Sequence, residues 1–110
     1  MREMKTLLVF TNMPDQASAE LLATALVEQR VAACVNVLMP AQSVFRWKGR
    51  VESASEVPLI IKTTAERYPM LEQAILAGHP YELPEIVAVP VEYGLPAYLE
   101  WVAAETRPLP

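Results

Sequence analysis

The chain reads as an α+β fold in the order β-α-β-β-α-β, closed by a further C-terminal helix. Three observations lead there. Apolar strand-forming runs alternate with stretches whose apolar residues recur at helical spacing. Two β-α-β halves meet at a turn signal, Lys48-Gly49. The 110 residues, 53% of them hydrophobic, suit one domain with its own core. That domain spans 1–110, with a core over 6–106 and a frayed tail over 107–110.

Thr6 to Thr11 is a continuous apolar run of strand formers, as expected of a buried central strand. Asn12-Met13-Pro14-Asp15 interrupts it, and Asp15 offers a side-chain oxygen to cap a helix over roughly 15–30. Leu22 and Leu26, flanked by Ala19, Ala23 and Val27, form its apolar stripe. Val31 to Met39 returns to strand composition. Pro40 cannot donate to a ladder, so it marks a bulge or an edge. Ser43 to Trp47 resumes the strand, and after the turn Val51 and then Val57 to Thr63 form the second arm of a long hairpin.

Thr63-Thr64-Ala65-Glu66 has the form of a capping box before a second helix carrying Tyr68, Leu71 and Ile75 and stopping at Gly78. Pro69 conflicts with that start, because it would remove an intrahelical bond. Either the helix begins near Tyr68 or it kinks there. His79 to Glu85 is a proline-stiffened extended loop. Ile86 to Val91 is the last strand, and Leu95 to Glu105 the last helix, with Pro96 in its first turn. Right-handed crossovers then give the split, ferredoxin-like arrangement, with the second hairpin arm between the first and second strands.

Charge and composition exclude several classes. A net charge of −4 argues against nucleic acid. Arg46, Lys48 and Arg50 alternate along the hairpin and read as a solvated strand face rather than an anion site. No run approaches the ~20 apolar residues of a membrane span. Met1 to Lys5 lacks the apolar stretch of a signal peptide, and a single cysteine permits no intrachain disulfide, so a cytoplasmic location is expected. No P-loop, G-x-G-x-x-G or G-x-S-x-G element is present.

The topology itself makes a geometric prediction. Cys34, early in the second strand, falls at one end of the sheet. His79, just before the last strand, falls at the other, near Thr11, Asn12 and Met13. A Cys-His catalytic pair or a one-chain Cys-His metal site is therefore disfavoured, and Cys34 is expected to be a small buried hydrophobe. His79 has two readings: a loop imidazole satisfied by a neighbour, or a transition-metal ligand with Met13, Glu82 and Glu85 nearby. Glu82 and Glu85 could serve as an acid/base pair, but local pairing and solvation explain them more simply. Phe45, Trp47, Tyr81 and Trp101 read as core or interface anchors, with ligand stacking at Trp47 or Tyr81 the other reading.

Several segments, taken together and in order, resemble the CutA family. They are Thr11-Asn12-Met13-Pro14, Val31-Ala32-Ala33-Cys34-Val35-Asn36, Ser43-Val44-Phe45-Arg46-Trp47-Lys48-Gly49, Ile61-Lys62-Thr63, His79-Pro80-Tyr81-Glu82-Leu83-Pro84-Glu85 and Tyr98-Leu99-Glu100-Trp101. The resemblance covers roughly residues 7–103. It implies a ferredoxin-like fold, a homotrimer, a role in tolerance of divalent metals, and copper binding. Family copper binding is associated with a cysteine at the place of Thr11 and histidines across Gly78 and His79. Here Thr11 and Gly78 leave His79 alone, which weakens that transfer.

The leading expectation is a non-catalytic homotrimer in divalent-metal response, with no obligatory cofactor. His79 and Met13 are its candidate copper ligands. The alternative is a PII-like trimer binding a small metabolite or anion between subunits, with Trp47, Lys62, Tyr81 and Glu85 as candidate contacts. An acylphosphatase-like enzyme lacks its glycine-rich phosphate loop here.

Overall fold

A computed structural model describes residues 5–110. Its elements are β1 (Thr6–Met13), α1 (Gln16–Glu28), β2 (Cys34–Val37), β3 (Ala41–Trp47), β4 (Arg50–Thr64), α2 (Tyr68–Gly78), β5 (Val87–Pro90) and α3 (Pro96–Glu105). The sheet is antiparallel throughout, in the order β2-β4-β1-β5, and β3 pairs with the far part of β4. The expected fold is the one observed. The second hairpin arm, β4, lies between β1 and β2.

Alternation along the strands decides the two faces. Val9 and Met13 of β1 and Val57, Leu59 and Ile61 of β4 are buried on one face, against Ala19, Leu22 and Leu26 of α1 and Leu71 and Ile75 of α2. The opposite face carries Phe10, Asn12, Ile60 and Lys62. There α3 packs against β4 and β1, burying Val102 and Ala103.

The first expected hairpin arm divides in two. Cys34 to Val37 pair with Lys62 to Leu59, and Ala41 to Trp47 pair with Glu56 to Arg50. Between these ladders Leu38, Met39 and Pro40 face only Val57 and Pro58. The extra residue is a bulge, and it reverses which side chains share a face. In β2 it is Cys34 and Asn36 that stand on the face of Lys62 and Ile60; in β3 it is Ser43, Phe45 and Trp47.

The turn Lys48-Gly49 has positive φ at both residues, 50° and 81°, the geometry of a two-residue hairpin whose twist matches its strands. From Glu56 back to Arg50, β4 has β3 as its one neighbour among the described residues, so the hairpin leaves the sheet as a two-stranded ribbon. The molecule is accordingly elongated, 44 × 27 × 23 Å.

Local chemistry sets the element boundaries. Asp15 caps α1 as expected, its Oδ1 accepting from Ser18 N at 2.8 Å. At the other end, Arg30 N donates to the Val27 carbonyl and Val31 N to the Leu26 carbonyl, a Schellman closure with Arg30 at φ 61°. Val31 is thereby spent on the helix end, and the second strand begins three residues later than its composition suggests. The Arg30 guanidinium continues outward to the carbonyls of Ala104 (3.0 Å) and Arg107 (2.7 Å), capping α3. That tie anchors Arg107, the first residue of the expected frayed tail.

The expected capping box does not form. Thr63 remains in β4 and its hydroxyl donates to the Val31 carbonyl at 2.7 Å. The regular helix starts at Tyr68, which places Pro69 in the first turn, where no intrahelical N–H is needed.

Candidate functional site

The ribbon, the end of β1 and the loop after α2 border an open groove of about 750 Å3. Glu52, Ala54 and Glu56 alternate along one face of β4. Directly opposite them stand Phe45, Ser43 and Ala41, with Trp47 next along the same face. Asn12 closes the sheet side, and Tyr81, Glu82, Leu83 and Glu85 form the far wall.

That wall is pinned by His79 and Asn12. His79 Nε2 lies 2.7 Å from the Asn12 carbonyl, which can only accept, and Tyr81 N donates to Nδ1 at 3.3 Å. The ring therefore carries its proton on Nε2 and uses both nitrogens. The Asn12 side chain donates in turn to Glu85 Oε1 at 3.0 Å. The Tyr81 ring packs against His79 at 4.7 Å. Burial, then hydrogen bonding and charge from Glu56, and lastly the charge of Asp15, push the Tyr81 phenol up to about 12. At the cavity mouth the Lys48 ammonium lies 5.6 Å from the centre of the Trp47 ring and 3.9 Å from Glu82.

Cys34 and His79 are separated as the topology requires. Cys34 pairs with Lys62, which lies opposite Leu8, whereas His79 bonds to Asn12. Four residue steps along β1 separate the two positions, roughly 13 Å. Cys34 is not fully buried as expected: it is partly exposed on the α3 side, with Lys62 Nζ 3.9 Å from its sulfur. Burial, followed by the charge of Cys34 and a hydrogen bond to it, raises the Tyr98 phenol. Lys62 Nζ also donates to Asn36 Oδ1.

Of the candidate binding residues, Trp47, Tyr81 and Glu85 line one cavity, while Lys62 belongs to the Cys34 cluster. The candidate metal ligands do not form an open centre. Met13 is 1% exposed in the core, and each His79 nitrogen already has a partner. Among the described residues, no three His, Cys, Asp or Glu side chains are grouped to hold a metal ion. Thr11 is buried, and its hydroxyl has no hydrogen-bond partner among the described residues.

Sequence reasoning missed Asn12, Glu52 and Glu56. The alternation Glu52, Ala54, Glu56 was a usable signal. Choosing their face, however, requires the pairing of β4 with β1, which sets Pro58, two residues from Glu56, opposite Asn12.

The same chain matches the family described as CutA1 divalent ion tolerance protein over residues 7–105. The protein belongs to the CutA family. It is 44% identical over 98 residues to Protein CutA of Mus musculus, covering 89% of this chain and 55% of that protein. The chain thus spans about half the length of the mouse relative. It is 42% identical to the divalent-cation tolerance protein CutA of Thermus thermophilus, covering 89% of this chain and 95% of that one.

Solved structures agree. The Thermus thermophilus divalent cation tolerance protein superposes with a TM-score of 0.90 at 40% identity, covering 93% of this chain and 99% of that one. CutA1 from Oryza sativa gives 0.92 at 33% identity, covering 97% and 98%. A third, from Archaeoglobus fulgidus, is described as a periplasmic divalent cation tolerance protein; it gives 0.89 at 34% identity, covering 93% and 99%. The CutA family is named for tolerance of divalent cations rather than for a catalysed reaction.

Proposed function

We propose that this CutA protein is a non-catalytic homotrimer, located in the cytoplasm, that serves tolerance of divalent cations. The observation that carries the assembly is the ribbon. An isolated two-stranded hairpin is marginal in water, yet β3 and the first half of β4 extend beyond the sheet with Val44 and Val51 70% and 66% exposed. The outer edge of β3 is unpaired among the described residues. Sister chains laid along that edge would bury the valines and complete the ladder. Closed threefold symmetry would repeat the contact without leaving an open end.

For the cation, copper included, His79 is the proposed contact, with Glu85 held beside it through Asn12. Binding there displaces one of the ring's two hydrogen bonds, so the contact is weak and forms only at high metal concentration. Native mass measurement with and without copper tests the reading. A trimer is expected in both conditions, with copper retention lost in His79→Ala. A monodisperse monomer would refute the assembly, and unchanged copper binding would remove His79 from it. Cell fractionation tests the location, for which the single cysteine is the support.

The cavity favours a second reading, a protein that binds a small molecule beside Trp47, Tyr81 and Glu85. Its volume and its mix of aromatic walls with a few polar groups suit a ligand site. A thermal-shift screen separates this reading from the first, because a ligand of the folded state raises the melting temperature.

A further inference from the structure

The cavity under the ribbon has a definite chemical sign and a definite shape. Its wall residues include four carboxylates, Glu52, Glu56, Glu82 and Glu85, and one cation, Arg46. Arg46 stands opposite Val51 and alternates with Phe45 and Trp47 along β3, yet it still borders the groove. Glu85 is held by Asn12, and Glu82 lies near Lys48. Among the described residues Glu52 has neither a hydrogen bond nor an ion pair, and its cross-strand neighbour is an aromatic ring, Phe45. An anion placed here would meet four carboxylates against two cations, Arg46 and Lys48.

The chain's own Lys48 shows what the groove accepts. Its ammonium sits over the Trp47 indole and faces the Glu82 carboxylate, so it meets an aromatic face and a carboxylate together. Phe45 with Glu52, and Tyr81 with Glu56, repeat that combination deeper in the cavity. Between them the floor is small and uncharged, Ala54 opposite Ser43. Glu52 and Glu56 share one strand face four residues apart, roughly 13 Å.

We infer that the groove between the ribbon and the 81–85 loop binds an extended aliphatic polyamine. One ammonium lies at Glu52 and Phe45, the methylene chain crosses Ala54 and Ser43, and a second ammonium lies at Glu56 and Tyr81. This inference rests on the small-molecule reading of the cavity and gives its ligand a class. It also reverses the sign of the ligand that the PII-like expectation allowed.

The test is isothermal titration of the full chain with spermidine, with magnesium and ATP as parallel arms. Spermidine is expected to bind once per chain, and Glu52→Gln to weaken it at least tenfold with the melting temperature unchanged, since Glu52 is exposed. Glu28→Gln, an equal loss of charge at the end of α1, is expected to leave binding as it was. Equal weakening by both variants, or displacement of spermidine by magnesium at matched charge, would reduce the effect to general counter-ion attraction and overturn the inference. Binding of ATP but not spermidine would overturn the polyamine while leaving a small-molecule site. Binding of neither would remove both.

Discussion

His79 Nε2 donates to the main-chain carbonyl of Asn12 across 2.7 Å, and that bond joins the loop after α2 to the last turn of the ladder in β1. Because the same ring accepts from Tyr81 N, the imidazole acts as a two-sided strut under one wall of the cavity. Replacing His79 with Ala leaves the Asn12 carbonyl and the Tyr81 N–H without their partners. The expected loss is about 1–3 kcal/mol in chemical denaturation. Faster hydrogen exchange should be confined to 79–85, and exchange spread evenly over the sheet would contradict the strut.

Arg30 separates a backbone effect from a side-chain effect. Its left-handed φ of 61° favours glycine, yet its guanidinium caps α3 at Ala104 and Arg107. Arg30→Ala loses the cap and keeps the strain, and is expected to cost about 2–3 kcal/mol. Arg30→Gly relieves the backbone and should recover roughly 1 kcal/mol of that loss. Equal stability of the two variants would mean the backbone strain is absent.

Deleting Met39 removes the extra residue of the bulge. Leu38 and Pro40 then face Pro58 and Val57 one for one, so the two ladders become continuous while Ser43, Phe45 and Trp47 keep their partners in β4. The Trp47 fluorescence maximum should therefore stay in place, with the indole still beside Lys48 and the cavity wall. A red shift in a folded deletion variant would show that β3 had slipped by a residue instead of closing the bulge.

Thr11 carries a buried hydroxyl with no partner among the described residues. Thr11→Val keeps the shape and removes the desolvated oxygen, so a gain of about 1 kcal/mol is expected in thermal or urea unfolding. A loss of stability would mean that the hydroxyl is hydrogen-bonded in solution.

Tyr81 gives the alkaline limb of stability a specific contributor. Its phenol is raised from 10.0 to about 12 in the folded chain, so folding favours the neutral form. The contribution is therefore complete below pH 10 and declines as pH rises through about 12. Phenolate absorbance should report a late-titrating tyrosine that is missing in Tyr81→Phe. The variant's stability should fall less steeply over that alkaline window.

What could be read in advance follows the range of the interactions. Asp15 as a cap, the apolar stripes of α1 and α2, and the turn at Lys48-Gly49 rest on neighbours within a few residues, and each was legible. The opposite placement of Cys34 and His79 followed from chain direction alone. The site was legible only in part. Trp47, Tyr81 and Glu85 were recognisable by residue type, but Asn12, Glu52 and Glu56 join them only through the pairing of β1 with β4, and it is the bulge that turns Trp47 to their face. Lys62 fell elsewhere because its strand position aligns it with Cys34. The false capping box at Thr63 had a similar cause, since that hydroxyl was claimed by a carbonyl 32 residues away.

β4 borders β1, β2 and β3, and this has a consequence for biosynthesis. Its partner in β1 leaves the ribosome about fifty residues earlier, and β5 arrives only after α2 is made. A nascent chain therefore carries β1 unmatched for about half of its translation, with few of the local contacts that speed folding. Synonymous codon changes that slow elongation just after Thr64 should favour correct pairing, by giving β4 time to dock before β5 competes for the other edge of β1.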